Sequence, residues 1–157
     1  MKELKLQNSV RPALVDDEDL ERLSLFKWHV TKSQSNISRN KKSNYRNIHT
    51  SLAAEVMCQP RQMFDHIDRN PFNNQKSNLR ACTKTQNQGN KSKQKGCSSV
   101  YRGVSWLKTS GKWQAQIRID YTLKTIGLFS NEIDAARAYN KEALAYFGEF
   151  ANLNILP

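Results

Sequence analysis

Residues 88–99 read QGNKSKQKGCSS, a run without one large apolar side chain. Small, polar and basic, with no apolar period, it has nothing to bury and reads as a linker. It parts the 157-residue chain into two pieces. Each is of a size at which a hydrophobic core alone is marginal, so a bound partner or ion would add to stability. Apolar residues make up 38% of the chain and aromatics 9%, enough for two modest cores. The expected organisation is a first module over 1–90, a basic linker over 91–99 and a second module over 100–157.

Charge narrows the choice of partner. The formal net charge is +11 and the isoelectric point lies near 9.8, which points to a polyanion, nucleic acid first. Its placement says more than its total. Residues 69–119 hold eleven Lys or Arg and no Asp or Glu. Ordinary surfaces intersperse the two signs, so an acid-free stretch of this length reads as a polyanion-binding surface rather than a solvated face. No apolar run approaches the roughly 20 residues that a membrane span needs. The N-terminal MKELKLQNSVRP lacks the pattern of a signal peptide. The expectation is a cytoplasmic, DNA-associated chain that is not secreted. Cys58, Cys82 and Cys97 form no C-x-x-C pair, which fits a reduced compartment and argues against structural zinc.

In the first module Ala13-Leu14-Val15 reads as a short strand, and Asp16 or Asp17 can cap a helix carrying Leu20, Leu23 and Phe26. A strand over 28–30 follows. The polar run 31–44 reads as a hairpin loop ahead of a strand over 45–49, and Ser51 can cap a short helix through Met57. Residues 1–50 as a whole read as a scaffold flanking what comes next.

In the second module Trp113, Ala115, Ile117 and Ile119 alternate with Gln114, Gln116, Arg118 and Asp120, a half-buried strand with one polar face. Trp113 therefore reads as core. Ile126 and Leu128 mark another strand. Asn131 opens a helix with Asp134 in its first turn. Its inward stripe is Ile133, Ala136, Tyr139 or Asn140, Ala143 and Phe147, and Gly148 stops it. This pattern predicts a three-stranded antiparallel sheet with one helix across its back, within an α+β protein.

Between these stretches lies FDHIDRNPFNNQKSNLRACTKTQNQGN, residues 64–90. Phe64, Asp65 and His66 suit a strand, residues 69–74 a turn, and 79–82 a returning strand. Thr83 with Gln86 forms a capping box opening a helix that bears Asn87. A hairpin followed by a helix can bring Asp65, His66 and Asn87 together. An imidazole titrating near neutrality suits a base that takes a proton from water. A carboxylate and an amide carbonyl are hard oxygen donors for Mg²⁺ or Mn²⁺, and with no thiolate they argue against zinc.

The spacing D-H-x-D-x-N-P-x-N-N-x-x-x-N-L-R, followed by Q-N-x-x-N, resembles the HNH endonuclease family, in the subgroup of phage and intron-encoded homing enzymes. The resemblance implies a ββα-metal fold, with His66 as general base and Asp65 as a metal ligand. It implies that Asn78 ties the hairpin loop by hydrogen bonds, and that Asn87 is a ligand where many members have His. Asp68, Asn70 and Asn74 read as loop-formers, and Arg80 as a holder of phosphate. His29 and His49 fall outside the motif and read as structural.

The C-terminal third carries Y-R-G-V at 101–104, G-K-W-x-A-x-I-R at 111–118, I-G-L-F at 126–129, A-A-x-A-Y at 135–139 and F-G-x-x-A-x-L-N at 147–154. In that order they are similar to the DNA-binding domain of plant ethylene-response factors, which implies a sheet laid in the major groove. Arg102 and Arg118 match contact positions of that family, and Gln116 stands where plant members usually have Glu. Trp106 corresponds to a family Trp near the groove. Ser105 and Leu107 replace residues that are often Arg there, so plant target sequences do not carry over. Lys108, Lys112 and Lys124 read either as phosphate contacts or as solvated side chains.

Together these readings predict a metal-dependent endonuclease acting on double-stranded DNA with one divalent ion, as a monomer or weak dimer, with no small-molecule substrate and no membrane partner. The competing expectation is a DNA-binding regulator whose cleavage module is inactive. An RNA-binding protein is a weaker rival, because no aromatic RNP-like pattern appears.

Overall fold

The structure is a computed structural model describing residues 1–33, 36–42, 47–93, 96–120 and 122–157. It is a mixture of α and β built from several small antiparallel sheets. Contacts divide it into two compact units, Met1–Cys82 and Thr83–Pro157.

In the first unit β1 (Lys2–Leu4) pairs with β2 (Ala13–Val15), and helix α1 (Asp17–Ser24) follows. Strands β3 (His29–Val30), β4 (Ile37–Lys42) and β5 (Asn47–Ser51) form a second sheet in that order. Helix α2 (Leu52–Val56) starts on Ser51, whose hydroxyl accepts from the Ala54 N–H at 3.2 Å. A hairpin of β6 (Phe64–His66) and β7 (Leu79–Ala81) closes the unit. Its core gathers Leu23, Trp28, Ile37, Leu52 and Val56, all at or below 1% exposure. The indole N–H of Trp28 is satisfied by Leu23 O at 2.9 Å.

Two expectations need correction here. Residues 37–42 are strand, not loop. Ile37 enters the core at 1% exposure, and the guanidinium of Arg39 stacks 3.8 Å above Phe26 while pairing with Glu55 at 2.9 Å. Pairing on both sides makes a strand of a segment whose own composition is polar. The second correction concerns Asp16. It stands at the N-cap of α1 but makes no side-chain bond to that helix. Its carboxylate accepts instead from the Lys76 N–H at 2.8 Å. Tyr45, where a strand was expected to begin, lies outside the described residues.

In the second unit helix α3 (Lys84–Asn90) opens with a complete capping box: Thr83 Oγ1 accepts from Gln86 N–H, and Gln86 Oε1 accepts from Thr83 N–H. Strands β8 (Val104–Leu107), β9 (Lys112–Ile119) and β10 (Thr122–Phe129) form an antiparallel sheet in the order β10-β9-β8. Helix α4 (Glu132–Phe147) lies across it, capped by Asn131, with Ala135, Ala136, Tyr139, Ala143 and Phe147 buried. Tyr139 rather than Asn140 fills the inward stripe; the Asn140 amide ties residue 154 through two hydrogen bonds.

The division after Cys82 sets α3 with the C-terminal sheet, ahead of the 91–99 stretch where the boundary was expected. Packing explains it. Gly89 sits so close to Phe147 that an added Cβ would lie 2.6 Å from the ring. Arg102 then donates to Gln88 O, and Asn152 donates from its backbone N–H to Gly89 O and from its side chain to the carbonyl of the C-cap, Lys91. The far end of the stretch is also engaged: Ser98 Oγ accepts from Trp106 N–H at 2.7 Å, and Ser99, 3% exposed, donates to Glu132 at 2.6 Å. Among the described residues no helix is long and apolar enough to cross a membrane.

Candidate functional site

The β6–β7 register sets Asp65 opposite Arg80 and His66 opposite Leu79. Opposed residues share a face, so Arg80 is brought over Asp65. Its Nε and Nη2 donate to Asp65 Oδ2 at 3.0 and 2.9 Å. Asp65 is 5% exposed, and a carboxylate so stripped of water requires a partner of this kind.

His66 ends β6 half-buried, with Nε2 3.2 Å from Asn74 Oδ1. Burial holds the imidazole below its ordinary 6.5, against the opposing pull of the Asn74 hydrogen bond and the Asp68 and Asp65 carboxylates. The ring is therefore neutral at neutral pH, the form that can accept a proton.

The loop joining the two strands is tied from within. Asn78, 8% exposed, donates from Nδ2 to Asp68 Oδ1 at 2.9 Å and to Asn73 O at 2.8 Å, while its Oδ1 accepts from Asp68 N–H at 3.0 Å. Asp68 also accepts from Asn70 N–H and from the Asn73 amide. Burial alone would push the Asp68 carboxyl up, but these three donors outweigh it and hold it below the ordinary value.

The same loop is tied from outside by the N-terminal segment. Leu14 N–H donates to Phe72 O at 2.7 Å and Asn74 N–H to Leu14 O at 2.8 Å. Arg11 donates to Asn70 at 3.1 Å and lies 4.3 Å above Phe72. This contribution of residues 11–16 was not legible in the sequence, because no local pattern pairs Leu14 with a turn some sixty residues on. The contact of Asn74 with the ring was missed too; nothing in the spacing sets it apart from Asn70 or Asn73.

Asn87 stands half-buried on α3 in the second unit, its N–H donating to Thr83 O at 3.0 Å. Among the described residues no group of three His, Cys, Asp or Glu could hold a metal. His29 is half-buried on β3 and His49 exposed on β5.

Over 136 residues the chain is 35% identical to an uncharacterised HNH endonuclease of Acanthamoeba polyphaga mimivirus, an alignment covering 84% of this chain and 68% of the relative. The chain belongs to the HNH endonuclease family. No family model matches it, and no solved structure matches.

The residues expected to touch DNA in this HNH-family chain fall into separate environments. In the second unit, pairing of Trp106 with Trp113 and Val104 with Ala115 puts Trp106 on the face that packs against α4, edge-on to Trp113 at 5.1 Å. Lys124 pairs with Ile117 and shares that side; its ammonium meets Tyr146 Oη at 3.1 Å and Glu142 at 3.5 Å. Neither lies on the open face of the sheet.

Arg102 lines a cleft with Gln116 and Arg118 and also reaches α3. It donates to Gln88 O at 2.8 Å, to Gly89 O and to Asn152 O, closing the C-terminal end of α3. Lys112, Gln116 and Arg118 do share the open face, with Gln114 between them. Lys108 is exposed in the β8–β9 turn. An open cleft of about 470 Å³ in this unit is lined in part by Lys91, Lys93, Gln116 and Arg118, with no acid among its described residues.

Proposed function

We propose that this chain is a metal-dependent endonuclease that hydrolyses phosphodiester bonds in double-stranded DNA, its site chosen mainly by the C-terminal sheet. The observation that carries the reading is the half-buried His66 ring next to the buried Asp65 on one hairpin, in a chain of the HNH family. His66 takes a proton from water, the oxygen bonds to phosphorus, and the bond to the leaving oxygen breaks, with solvent returning a proton to that oxygen.

Asp65 and Asn87 would hold one Mg²⁺ or Mn²⁺. Their carboxylate and amide oxygens suit a hard cation. Because Arg80 already neutralises Asp65, an ion there must share the carboxylate or displace the guanidinium. When bound, it supplies positive charge to the cleaved phosphate and leaving oxygen. In this reading the ββα-metal module, of the phage or intron homing type, runs through residue 90. The C-terminal unit acts like the ethylene-response-factor domain it resembles, gripping duplex DNA through Lys112, Gln116 and Arg118. Six phosphate contacts would weaken binding roughly a thousandfold between about 50 and 200 mM salt.

A second reading, a DNA-binding regulator with a silent nuclease module, is favoured by the Arg80–Asp65 pair, which occupies the carboxylate the metal needs. Supercoiled plasmid separates the two. Nicking or cutting that needs Mg²⁺ or Mn²⁺ and vanishes in His66→Ala supports the enzyme. DNA retarded in gels but left intact by both proteins supports the regulator.

A further inference from the structure

The loop over 68–78 holds several asparagines, and their amides face different ways. Asn73 Nδ2 serves Asp68, and Asn70 Oδ1 accepts from Phe72 N–H and from Arg11. Asn74 alone among these three carries a contact to the ring of His66, and it is the most deeply buried asparagine of the loop at 1% exposure. Its orientation is fixed at three points. The backbone N–H donates to Leu14 O at 2.8 Å. Side-chain Nδ2 donates to Pro71 O at 2.9 Å. The remaining end of the amide, Oδ1, faces His66 Nε2 at 3.2 Å.

An amide oxygen can only accept a hydrogen bond. The imidazole nitrogen opposite it must therefore carry the hydrogen. In the other tautomer two lone pairs would face each other beside an asparagine only 1% exposed, an unsatisfied buried arrangement that folded proteins avoid. A neutral imidazole has one N–H, so a hydrogen on Nε2 leaves the lone pair on Nδ1.

We infer that Asn74 is a positioning residue for His66: its amide oxygen holds the ring in the Nε2–H form and so makes Nδ1 the nitrogen that takes the proton from water. β2, through Leu14, is the brace that keeps Asn74 in place. The inference rests on the nuclease reading only for the use to which Nδ1 is put; the tautomer itself does not depend on it. Partners of this kind, one step behind the reacting group, commonly carry about 10- to 100-fold in activity.

The test labels the three histidines of the full chain with ¹⁵N and reads ring-nitrogen shifts at about pH 8, above the ordinary imidazole range. The His66 signal is assigned by its loss in His66→Ala. It is expected to show hydrogen on Nε2. In Asn74→Leu, of similar volume but without an acceptor, the ring is expected to populate both tautomers. Cleavage by that variant should fall about 10- to 100-fold in kcat with KM little changed. Asn74→Asp keeps the acceptor oxygen and should restore the Nε2–H form and most of the rate. A parent protein with hydrogen on Nδ1 overturns the inference whatever the variants do, and so does Asn74→Leu with an unchanged tautomer and unchanged kcat. An Nε2–H ring in a protein that never cuts DNA leaves this inference standing and removes the nuclease reading instead.

Discussion

Arg80 gives two hydrogen bonds to one oxygen of Asp65, from Nε at 3.0 Å and from Nη2 at 2.9 Å. With side chains 18% and 6% exposed, the pair is largely desolvated, and removing one partner from such a pair costs about 3 kcal/mol or more. Arg80→Met is expected to destabilise the protein by about that amount in urea titration. If Asp65 also takes a divalent ion, Mn²⁺ supplies the missing positive charge. It should then stabilise the variant more than the parent protein. An equal response to Mn²⁺ in both would count against Asp65 as a ligand.

Asp68 links the loop to pH. Burial works against its ionised form, but donors from Asn70, Asn73 and Asn78 prevail and hold its pKa below the ordinary 3.8. The charged carboxylate is therefore favoured more by the folded chain than by the unfolded one. The stability it contributes is complete above the unfolded value and fades as pH falls through the lower folded one. Asp68→Asn should lose that dependence, so its melting temperature falls less steeply than the parent's below about pH 4. Parallel acid profiles for the two proteins would refute the assignment.

How much of this was visible beforehand depends on whether the signal was local. The β9 alternation is local: each residue from Trp113 to Ile119 declares its own side, and the strand stands where the pattern put it. The capping box at Thr83 and Gln86 is local too. Strand β4 is not, since ISRNKK offers one apolar residue, and its place comes from β3 and β5 pairing on either side. Face assignment in the second sheet is likewise a matter of register. Charge and aromaticity marked Trp106 and Lys124, but only their pairing with Trp113 and Ile117 shows which side they take. Arg102 was marked by charge, and what decides its role is carbonyls on α3 and on residue 152.

Gly103 and Gly111 separate backbone strain from collision. Both have positive φ, +72° and +60°, where a Cβ is disfavoured. At Gly111 nothing lies within 4 Å of an added Cβ, whereas at Gly103 it would meet Tyr139 Cδ2 at 2.1 Å and Gln116 O at 2.6 Å. Gly111→Ala should therefore cost about 1 kcal/mol, from the backbone alone. Gly103→Ala should cost about 3 kcal/mol or more, since Tyr139 is a buried residue of α4 and the Gln116 carbonyl is fixed in the sheet. Thermal unfolding of the two variants measures the difference. Equal losses would mean that the ring of Tyr139 yields freely.

Arg102 and Arg118 carry the same charge and should behave oppositely. Arg118 is exposed on the open face of the sheet beside Gln116 and Lys112. If it contacts phosphate, Arg118→Ala weakens duplex binding and lowers the slope of log affinity against log salt by about one, while stability hardly changes. Arg102 spends its donors on Gln88 O, Gly89 O and Asn152 O, with the guanidinium 5.8 Å from the Tyr139 ring centre. Arg102→Ala should leave the salt slope as it was, because no phosphate contact is lost. It should instead speed amide hydrogen exchange over residues 84–90, whose terminal carbonyls lose their donors. Fluorescence anisotropy on a duplex across a salt series, read beside exchange data, tests both halves. A reduced slope in Arg102→Ala would place that guanidinium on the DNA and overturn its role as the closing group of α3.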